Sequence, residues 1–338
     1  MSPSTSVKLA KKLVEQLWKH LAEPQSTYQL PEEAVFSNSI AFFGPQPIGE
    51  LSGISTLFDE VYRPLANTFP VVHRKEYLFL GGEFEGGTWV VSAGEFVGEM
   101  QAPYLGIPAS KQPVKMRFGE FYKIENERIV EIRCLFDILG LAAQAGYPLL
   151  PAFEGRSEVA PGPALDNGLC YNDKEPNESR KTLELVEDML GGCNRLKGSK
   201  LASMGMADFW HEDMVWHGPW GVGSCYGFRE FQEFAQGPSV ASFPGRTGGY
   251  HQARIADGLT SAFTGWPSLK GHFTGKPFRG FQPTHGAIGM NIMDFYVRRD
   301  DKLHENWVLI DLIEFGQQCG VDLLDKLPSS TSTALENA

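Results

Sequence analysis

Basic residues are in the minority in this sequence, and long apolar runs are missing. Lys and Arg number 30 against 41 Asp and Glu among 338 residues, a net charge of −11. No basic cluster interrupts that balance, and a surface of this sign repels phosphate backbones, so nucleic acid is excluded as the expected partner. No run approaches the ~18 consecutive apolar residues of a membrane-spanning helix. The lysine-bearing N-terminus leads into an amphipathic segment, not the apolar stretch of a secretion signal. The expectation is a cytoplasmic protein with neither membrane nor nucleic-acid partners. Cysteine is scarce as well: Cys134, Cys170, Cys193, Cys225 and Cys319 are odd in number, scattered, and form no CxxC pair or Cys/His spacing. That argues against a disulfide framework or zinc site and for free thiols, mostly buried. His73, His251, His272 and His285 lack metal-like spacing and read as structural or exposed. Gly218-Pro219-Trp220-Gly221-Val222-Gly223 is glycine-rich, but its proline and the strand before it suit a turn better than a phosphate cradle. No metal and no organic cofactor is expected.

What the sequence does contain is itself, twice. Gly44-Pro45-Gln46-Pro47-Ile48-Gly49 matches Gly218-Pro219-Trp220-Gly221-Val222-Gly223 at an offset of 174 residues, and Phe69-Pro70 matches Phe243-Pro244 at the same offset. Pro103 to Gly146 lies over Pro277 to Gly320 without a gap; ten of those 44 pairs are identical, among them Phe121-Tyr122 with Phe295-Tyr296 and Asp137 with Asp311. One offset held over about 100 residues marks an internal duplication, with a single slip expected between residues 71 and 102. The length suits two domains of roughly 150 residues. The divisions read as residues 1–150 and 182–325 for the copies, a Pro/Gly-rich polar linker at 151–181, and a flexible tail at 326–338.

Within a copy the pattern changes from helix to strand. Leu9, Leu13, Leu17 and Leu21 form one apolar helix face, closed by Pro24. A second helix fits Leu57 to Ala66, and Thr182 to Leu190 and Phe228 to Ala235 play these parts in the second copy. Tyr77 to Leu80, Thr88 to Val91, Val114 to Lys123 and Ile129 to Phe136 alternate as strands, and a short helix over Ile138 to Ala145 follows Asp137. Helices followed by a meander predict an α+β fold: helices on one face of a strongly curved antiparallel sheet, enclosing a pocket for a small ligand.

Pro103-Tyr104-Leu105-Gly106-Ile107-Pro108, Glu120-Phe121-Tyr122, Arg128-Ile129-Val130-Glu131 and Asp137-Ile138-Leu139-Gly140-Leu141 resemble the SnoaL-like polyketide cyclases of the nuclear-transport-factor-2-like superfamily. Leu303-His304-Glu305-Asn306-Trp307-Val308-Leu309-Ile310-Asp311 in the second copy is similar to the family's closing strand, and Val215-Trp216-His217-Gly218-Pro219 to its opening one. The copies depart from the pattern in different places: Arg133 stands where the family has Trp, and Gly280-Phe281-Gln282-Pro283 has lost the GIP turn. The resemblance implies two tandem cone-shaped α+β barrels and cofactor-independent acid/base chemistry on a small carbonyl compound. Aldol cyclisation, or a lyase, dehydratase or isomerase step, would be the reaction. The alternatives are a ligand-binding or scaffold pair, or one active and one structural copy. It also implies pairing through the sheet face, here as an internal pseudo-dimer, with further homodimerisation left open.

Two aspartates lead the candidates. On a period-2 strand Glu131, Arg133 and Asp137 share a face, as do Glu305, Trp307 and Asp311. If that face lines the pocket, burial raises the aspartate pKa and suits it to take and return a proton. Asp just before a helix is equally a preferred N-cap, so both roles stay open for Asp137 and Asp311. Glu120 and Asp294 occupy matching places and either face the same pocket or are solvated. Trp216, Trp220 and Trp307 suit pocket walls or ordinary core. His217 suits either a carbonyl-polarising role or a structural hydrogen bond.

Overall fold

The computed structural model describes residues 3–21, 35–151, 162–164, 168–172, 174–198 and 200–328. The first repeat runs α1 (Pro3–Leu21), β1 (Phe36–Phe43), β2 (Glu50–Ser52), α2 (Ile54–Leu57), a π-helical turn (Phe58–Tyr62), α3 (Arg63–Thr68), β3 (Val72–Phe84), β4 (Gly87–Glu99), β5 (Pro113–Glu125), β6 (Arg128–Phe136) and α4 (Ile138–Gln144). The second runs α5 (Pro176–Cys193), α6 (Met206–Phe209), β7 (Trp210–His217), β8 (Ser224–Tyr226), α7 (Phe228–Glu230), a π-helical turn (Phe231–Gln236), α8 (Gly237–Ser242), β9 (Thr247–Gly248), β10 (His251–Asp257), β11 (Thr260–His272), β12 (Ala287–Arg299), β13 (Lys302–Ile310) and α9 (Leu312–Gln318). β1, β2, β5, β6 and α4 recur at the 174-residue offset, down to the π-helical turn between paired short helices. The expected slip falls where β3 is matched by the broken pair β9 and β10.

The sheets are mixed, not purely antiparallel as expected. Their orders are β2-β1-β6-β5-β4-β3 and β10-β11-β12-β13-β7-β8, with β9 also on β11. β1 runs parallel to β6, and β7 to β13. A hairpin meander alone would be antiparallel. The opening strand lies outside the meander, and the long excursion through helices and the intervening strands brings the chain back beside it in the same direction.

Each sheet is buried on both faces. On β4 and β5 the residues Val90, Phe96, Met116, Phe118 and Tyr122 point to the concave side, where α1, α2 and α3 close a cone. Trp89, Val91, Ala93 and Phe121 point the other way and join Ala262, Met293, Phe295, Trp307 and Leu309 of the second repeat in a separate core. The two convex faces therefore pack on each other as an internal pseudo-dimer. Phe121 and Phe295, equivalent positions, meet across it with ring centroids 6.0 Å apart. Gly119 is required there: a Cβ would lie 2.7 Å from the Phe295 ring and 3.1 Å from the Met293 sulfur. At the edge, Lys11 of α1 pairs with Asp257 of β10, both buried.

The expected linker is shorter than 151–181. Pro176 opens α5, six residues before 182; proline at a first helical position forfeits only an N–H that has no intrahelical partner anyway. The polar first turn had hidden the helix. Upstream, the Phe79 N–H donates to the Gly168 carbonyl and the Cys170 N–H to the Phe79 carbonyl, docking this stretch on β3. The expected helix stop at Pro24, residues 152–161 of the linker and residues 329–338 of the tail lie outside the described residues.

Candidate active site

Glu131, Arg133 and Asp137 do share a face, as do Glu305, Trp307 and Asp311, but it is the face turned to the other repeat. Ile132, Cys134 and Phe136 take the cone-facing positions and Leu135 the outer one. The period of 2 says which residues go together, not which face is concave when both are apolar. Asp137 caps α4 by accepting the Gly140 N–H at 3.1 Å, and also accepts the backbone N–H of Trp220 at 3.2 Å from the second repeat. Asp311 caps α9 by accepting the Glu314 N–H at 3.0 Å, and accepts the Gln46 N–H at 2.8 Å from the first. Gln46 and Trp220 are equivalent, so the two Gly-Pro turns reach across the pseudo-twofold and satisfy each other's cap. Arg117 adds an ion pair to Asp137 at 3.2 Å and donates to the Gly218 carbonyl at 2.6 Å. The second repeat has Asn291 there instead, bonded to Glu314. Without a cation, burial lifts Asp311 to about 6; burial and then the Asp311 charge lift Glu314 to about 7. The space between these helix starts is about 10 Å³, room for a single water.

The remaining outer-face candidates serve the same junction. Arg133 binds Glu131 at 2.6 Å and lies 4.1 Å over the Phe43 ring. Glu305 accepts the Ala164 N–H at 3.0 Å. Trp307 lies 5.6 Å from the His217 ring and 6.1 Å from that of Tyr77. His217 is 3.2 Å from the Ser224 hydroxyl, and burial, with Arg117 adding to it, lowers its pKa to about 4, leaving it neutral. Trp220 contributes its backbone. Trp216 faces the cone, 5.9 Å from Phe231.

Inside the cones the picture differs, and the two residues read as either pocket-facing or solvated, Glu120 and Asp294, are both there. Cone one is closed around a cation. The Arg74 guanidinium is 3.3 Å from the Trp18 ring centroid and 3.8 Å from that of Phe118. It donates to Glu120 at 2.6 Å, to Ser92 at 2.8 Å and to Glu76 at 3.2 Å. Tyr122 donates to Glu120 at 2.7 Å and accepts from the Trp18 indole at 2.9 Å. Burial opposes the Arg74 charge most strongly, but Glu120, Tyr122 and Glu76 together outweigh it and the pKa ends above its ordinary value. Glu120, 3% exposed, is spent on this pair.

Cone two has no such plug. In the strand ladders Arg74 pairs with Phe96 and Phe96 with Met116; the matching chain is Gly248, Leu269, Met290. Gly248 thus replaces Arg74, Leu269 replaces Phe96, and Ile292 replaces Phe118. The same register puts His251 where Glu76 stands and Phe263 where Ser92 stands, the latter a change to a larger side chain. On the helix, buried Ala10, Val14 and Leu17 correspond to Thr182, Val186 and Met189, which puts Leu190 in place of Trp18. Asp294 replaces Glu120, beside a retained Tyr296. Protein surrounds the Asp294 carboxyl, yet the residue keeps partial solvent access. Burial lifts its pKa to about 7, with contacts from Asn306 and Tyr296 opposing the rise, and no cation contributes. An aromatic arc runs from Trp210 to Tyr296 (6.1 Å), Phe263 (6.1 Å) and His251 (5.1 Å). Burial, aided by Arg254, lowers His251 to about 4. The Trp210 indole nitrogen and His251 Nδ1 are buried without a hydrogen-bond partner. Larger openings lie elsewhere, such as a cleft of about 930 Å³ between α1 and the β5–β6 hairpin, but its lining (Lys12, Gln16, Glu125, Asn126) holds no buried titratable group. A carboxyl titrating near 7 among rings is equipped to exchange a proton with a bound molecule at neutral pH.

Trp18, Arg74, Trp210, His251 and Tyr296, which surround the Glu120 and Asp294 carboxyls in the cones, carried no site signal in the sequence. Lining up the copies pair by pair would have flagged Phe118 against Ile292; the Arg74–Gly248 match needs the strand register. Among the described residues no helix is long and apolar enough to cross a membrane.

Residues 38–145 match the model of the SnoaL-like polyketide cyclases, so the first repeat is a SnoaL-like domain, in a tandem whose second copy is its structural repeat. No curated protein matches the chain in sequence. Similar solved structures include a candidate SnoaL-like polyketide cyclase from Jannaschia sp. CCS1, 18% identical, covering 45% of this chain and 97% of its own, with a TM-score of 0.36. AclR, a candidate hydroxylase from Streptomyces galilaeus, is 18% identical over 47% of this chain and 95% of its own, TM-score 0.35. TsrD from Streptomyces laurentii is 24% identical over 40% of this chain and 96% of its own, TM-score 0.33.

Proposed function

We propose that this tandem SnoaL-like protein is an acid/base enzyme acting on a small carbonyl compound, with cone two as the active site and cone one as its structural partner. Asp294 is the base. As a carboxylate it takes a proton from the carbon next to a carbonyl, leaving an enolate, and as the acid it returns that proton to carbon or to a leaving oxygen. Aldol cyclisation, dehydration and isomerisation all begin this way, and the reading extends to that group without choosing among them. Trp210 and His251 offer the unpartnered ring nitrogens to the carbonyl oxygen, and charge developing there is stabilised best by groups already in place. Asp137 and Asp311, the first candidates, are left with capping and docking. Free cysteines throughout fit a reducing compartment such as the cytoplasm.

The single observation behind this reading is the Asp294 carboxyl, lifted to about 7 with no cation beside it, whereas Glu120 is bound to Arg74. The test is proton exchange, which needs no knowledge of the natural substrate. With 1-tetralone in D2O, NMR follows deuterium entering the carbon next to the carbonyl. Wild type is expected to accelerate exchange, and Asp294→Asn to lose roughly 10²- to 10⁴-fold of that acceleration. Glu120→Gln, if it folds, should exchange like wild type. Equal rates for wild type and Asp294→Asn would refute the assignment.

A further inference from the structure

Cone two holds a further charged group, Arg246, that has no counter-ion among the described residues. Arg246 directly precedes β9. A Cβ on Gly271 of β11 would lie 3.2 Å from the Arg246 Cα, and one on the matching Gly98 of β4 would lie 3.6 Å from the Cα of Val72. Arg246 thus takes the place of Val72, two residues before the Gly248 that replaces Arg74, and by strand alternation on the same cone-facing side. Its guanidinium donates to the Ser239 hydroxyl of α8 at 3.3 Å. The Cys193 thiol, at the C-terminal end of α5, feels both Arg246 and Asp294. Neither Arg246 nor Asp294 acts on the other, so the two charges are held apart, with the thiol in range of both. No carboxylate among the described residues pairs with Arg246, and its half-buried setting depresses its pKa. In cone one the equivalent charge, on Arg74, is cancelled by Glu120 and stacked between rings. In cone two it has moved to the rim, between α5 and α8, with most of its donors unused.

We propose that Arg246 recognises an oxyanion on the substrate, a carboxylate or an acidic phenol oxygen, and so orients the carbon acid toward Asp294. The proposal rests on cone two being the active site. The guanidinium fork matches a planar oxyanion and fixes direction as well as distance. A ligand anchored there would run past Cys193 toward the Asp294 carboxyl along the aromatic arc. That makes the preferred substrate a carbonyl compound that also carries an acidic group, an aromatic or enolic acid bound more tightly than a neutral ketone or ester.

The probes are 2-naphthoate and its methyl ester, with affinities measured by tryptophan fluorescence at pH 6, where Asp294 is mostly neutral. The expected result is tighter binding of the acid by wild type, a preference lost by roughly 10- to 100-fold in Arg246→Met, and partial recovery in Arg246→Lys. The ester should bind all three alike. Thermal melting separates a folding defect from a binding one, and Arg246→Lys keeps the test alive if the methionine variant fails to fold. Absence of acid preference in wild type, no binding of the acid at millimolar concentration, or equal losses for acid and ester would each overturn the proposal. Leu190→Trp, which restores the ring that Trp18 supplies in cone one, tells this failure from that of the broader reading. If it leaves both affinities intact, the probes are not in cone two and the site itself is misplaced. If it blocks both probes while Arg246→Met retains the acid preference, only the role of Arg246 is wrong.

Discussion

Asp294→Asn should make the protein more stable while slowing proton exchange by the roughly 10²- to 10⁴-fold given above, and the gain should depend on pH in a defined direction. The folded carboxyl titrates near 7 instead of 3.8 because burial disfavours its charged form. A raised carboxylate pKa means that the folded state binds the proton more tightly than the unfolded one. Through this group, stability is therefore greatest below about pH 3.8, falls as pH climbs from there to 7, and is level above. Three units at about 1.4 kcal/mol each give roughly 4 kcal/mol of cost at pH 8, and the partial solvent access of Asp294 trims that to about 2–4 kcal/mol. Asparagine resembles the neutral acid in size and never ionises, so its variant escapes the cost. Urea unfolding at pH 5, 6.5 and 8 should show the variant's advantage growing by about 1 kcal/mol per pH unit before levelling off. An advantage that is absent, or the same at all three pH values, would mean that Asp294 is not held in an apolar site, and the case for it as the base would go with it.

The caps make a contrasting forecast. Asp311→Ala and Asp137→Ala should each cost about 1–3 kcal/mol, because a helix N–H and an N–H from the other repeat both lose their acceptor, while proton exchange by folded protein persists; loss of exchange at unchanged stability would restore these aspartates as catalytic. Gly119→Leu should destabilise by about 1–3 kcal/mol through overpacking against Phe295 and Met293, read by thermal melting, and an unchanged melt would show that the convex faces do not meet as closely as described.

Much of the fold was legible because the chain states it twice. Matching Phe121-Tyr122 to Phe295-Tyr296 and Asp137 to Asp311 fixed the repeat, and the alternation around Val114 to Lys123 and Ile129 to Phe136 found β5 and β6 nearly to the residue. The parallel partner of β6 was less visible, since Phe36 to Phe43 interrupts its apolar residues with Ser37, Asn38 and Ser39 and its pairing is set far along the chain. The site was legible only in part. Period 2 correctly grouped Glu131 with Arg133, but with Leu135 on one face and Cys134 and Phe136 on the other, apolarity does not reveal which face is concave. Glu120 and Asp294 looked like polar strand residues because their burial comes from helices more than 30 residues upstream. Arg246 carried no signal beyond being a charged residue near a Gly-Pro-rich turn; its importance lies in a carboxylate that is not there.

Fusion explains how the two cones came to differ while their contact did not. In a homodimer any change inside the cone appears twice, so plugging it abolishes both sites. In a tandem chain it appears once. The junction keeps near-symmetry because each repeat is the other's partner: Gln46 serves Asp311 as Trp220 serves Asp137, and Phe121 meets Phe295. The cones are free of that constraint. Cone one holds an arginine stacked on Trp18 and Phe118 and paired with Glu120. Cone two keeps a carboxyl without a cation, a guanidinium without an anion, and unpartnered ring nitrogens, each of which costs stability. Such costs are tolerated where surrounding structure supplies the surplus, and here the packed first repeat and the shared sheet–sheet core supply it. It follows that refilling cone two with Leu190→Trp should raise stability as it closes the site, and that emptying cone one with Trp18→Leu should lower stability without opening a second one, because Arg74 and Glu120 would still occupy each other.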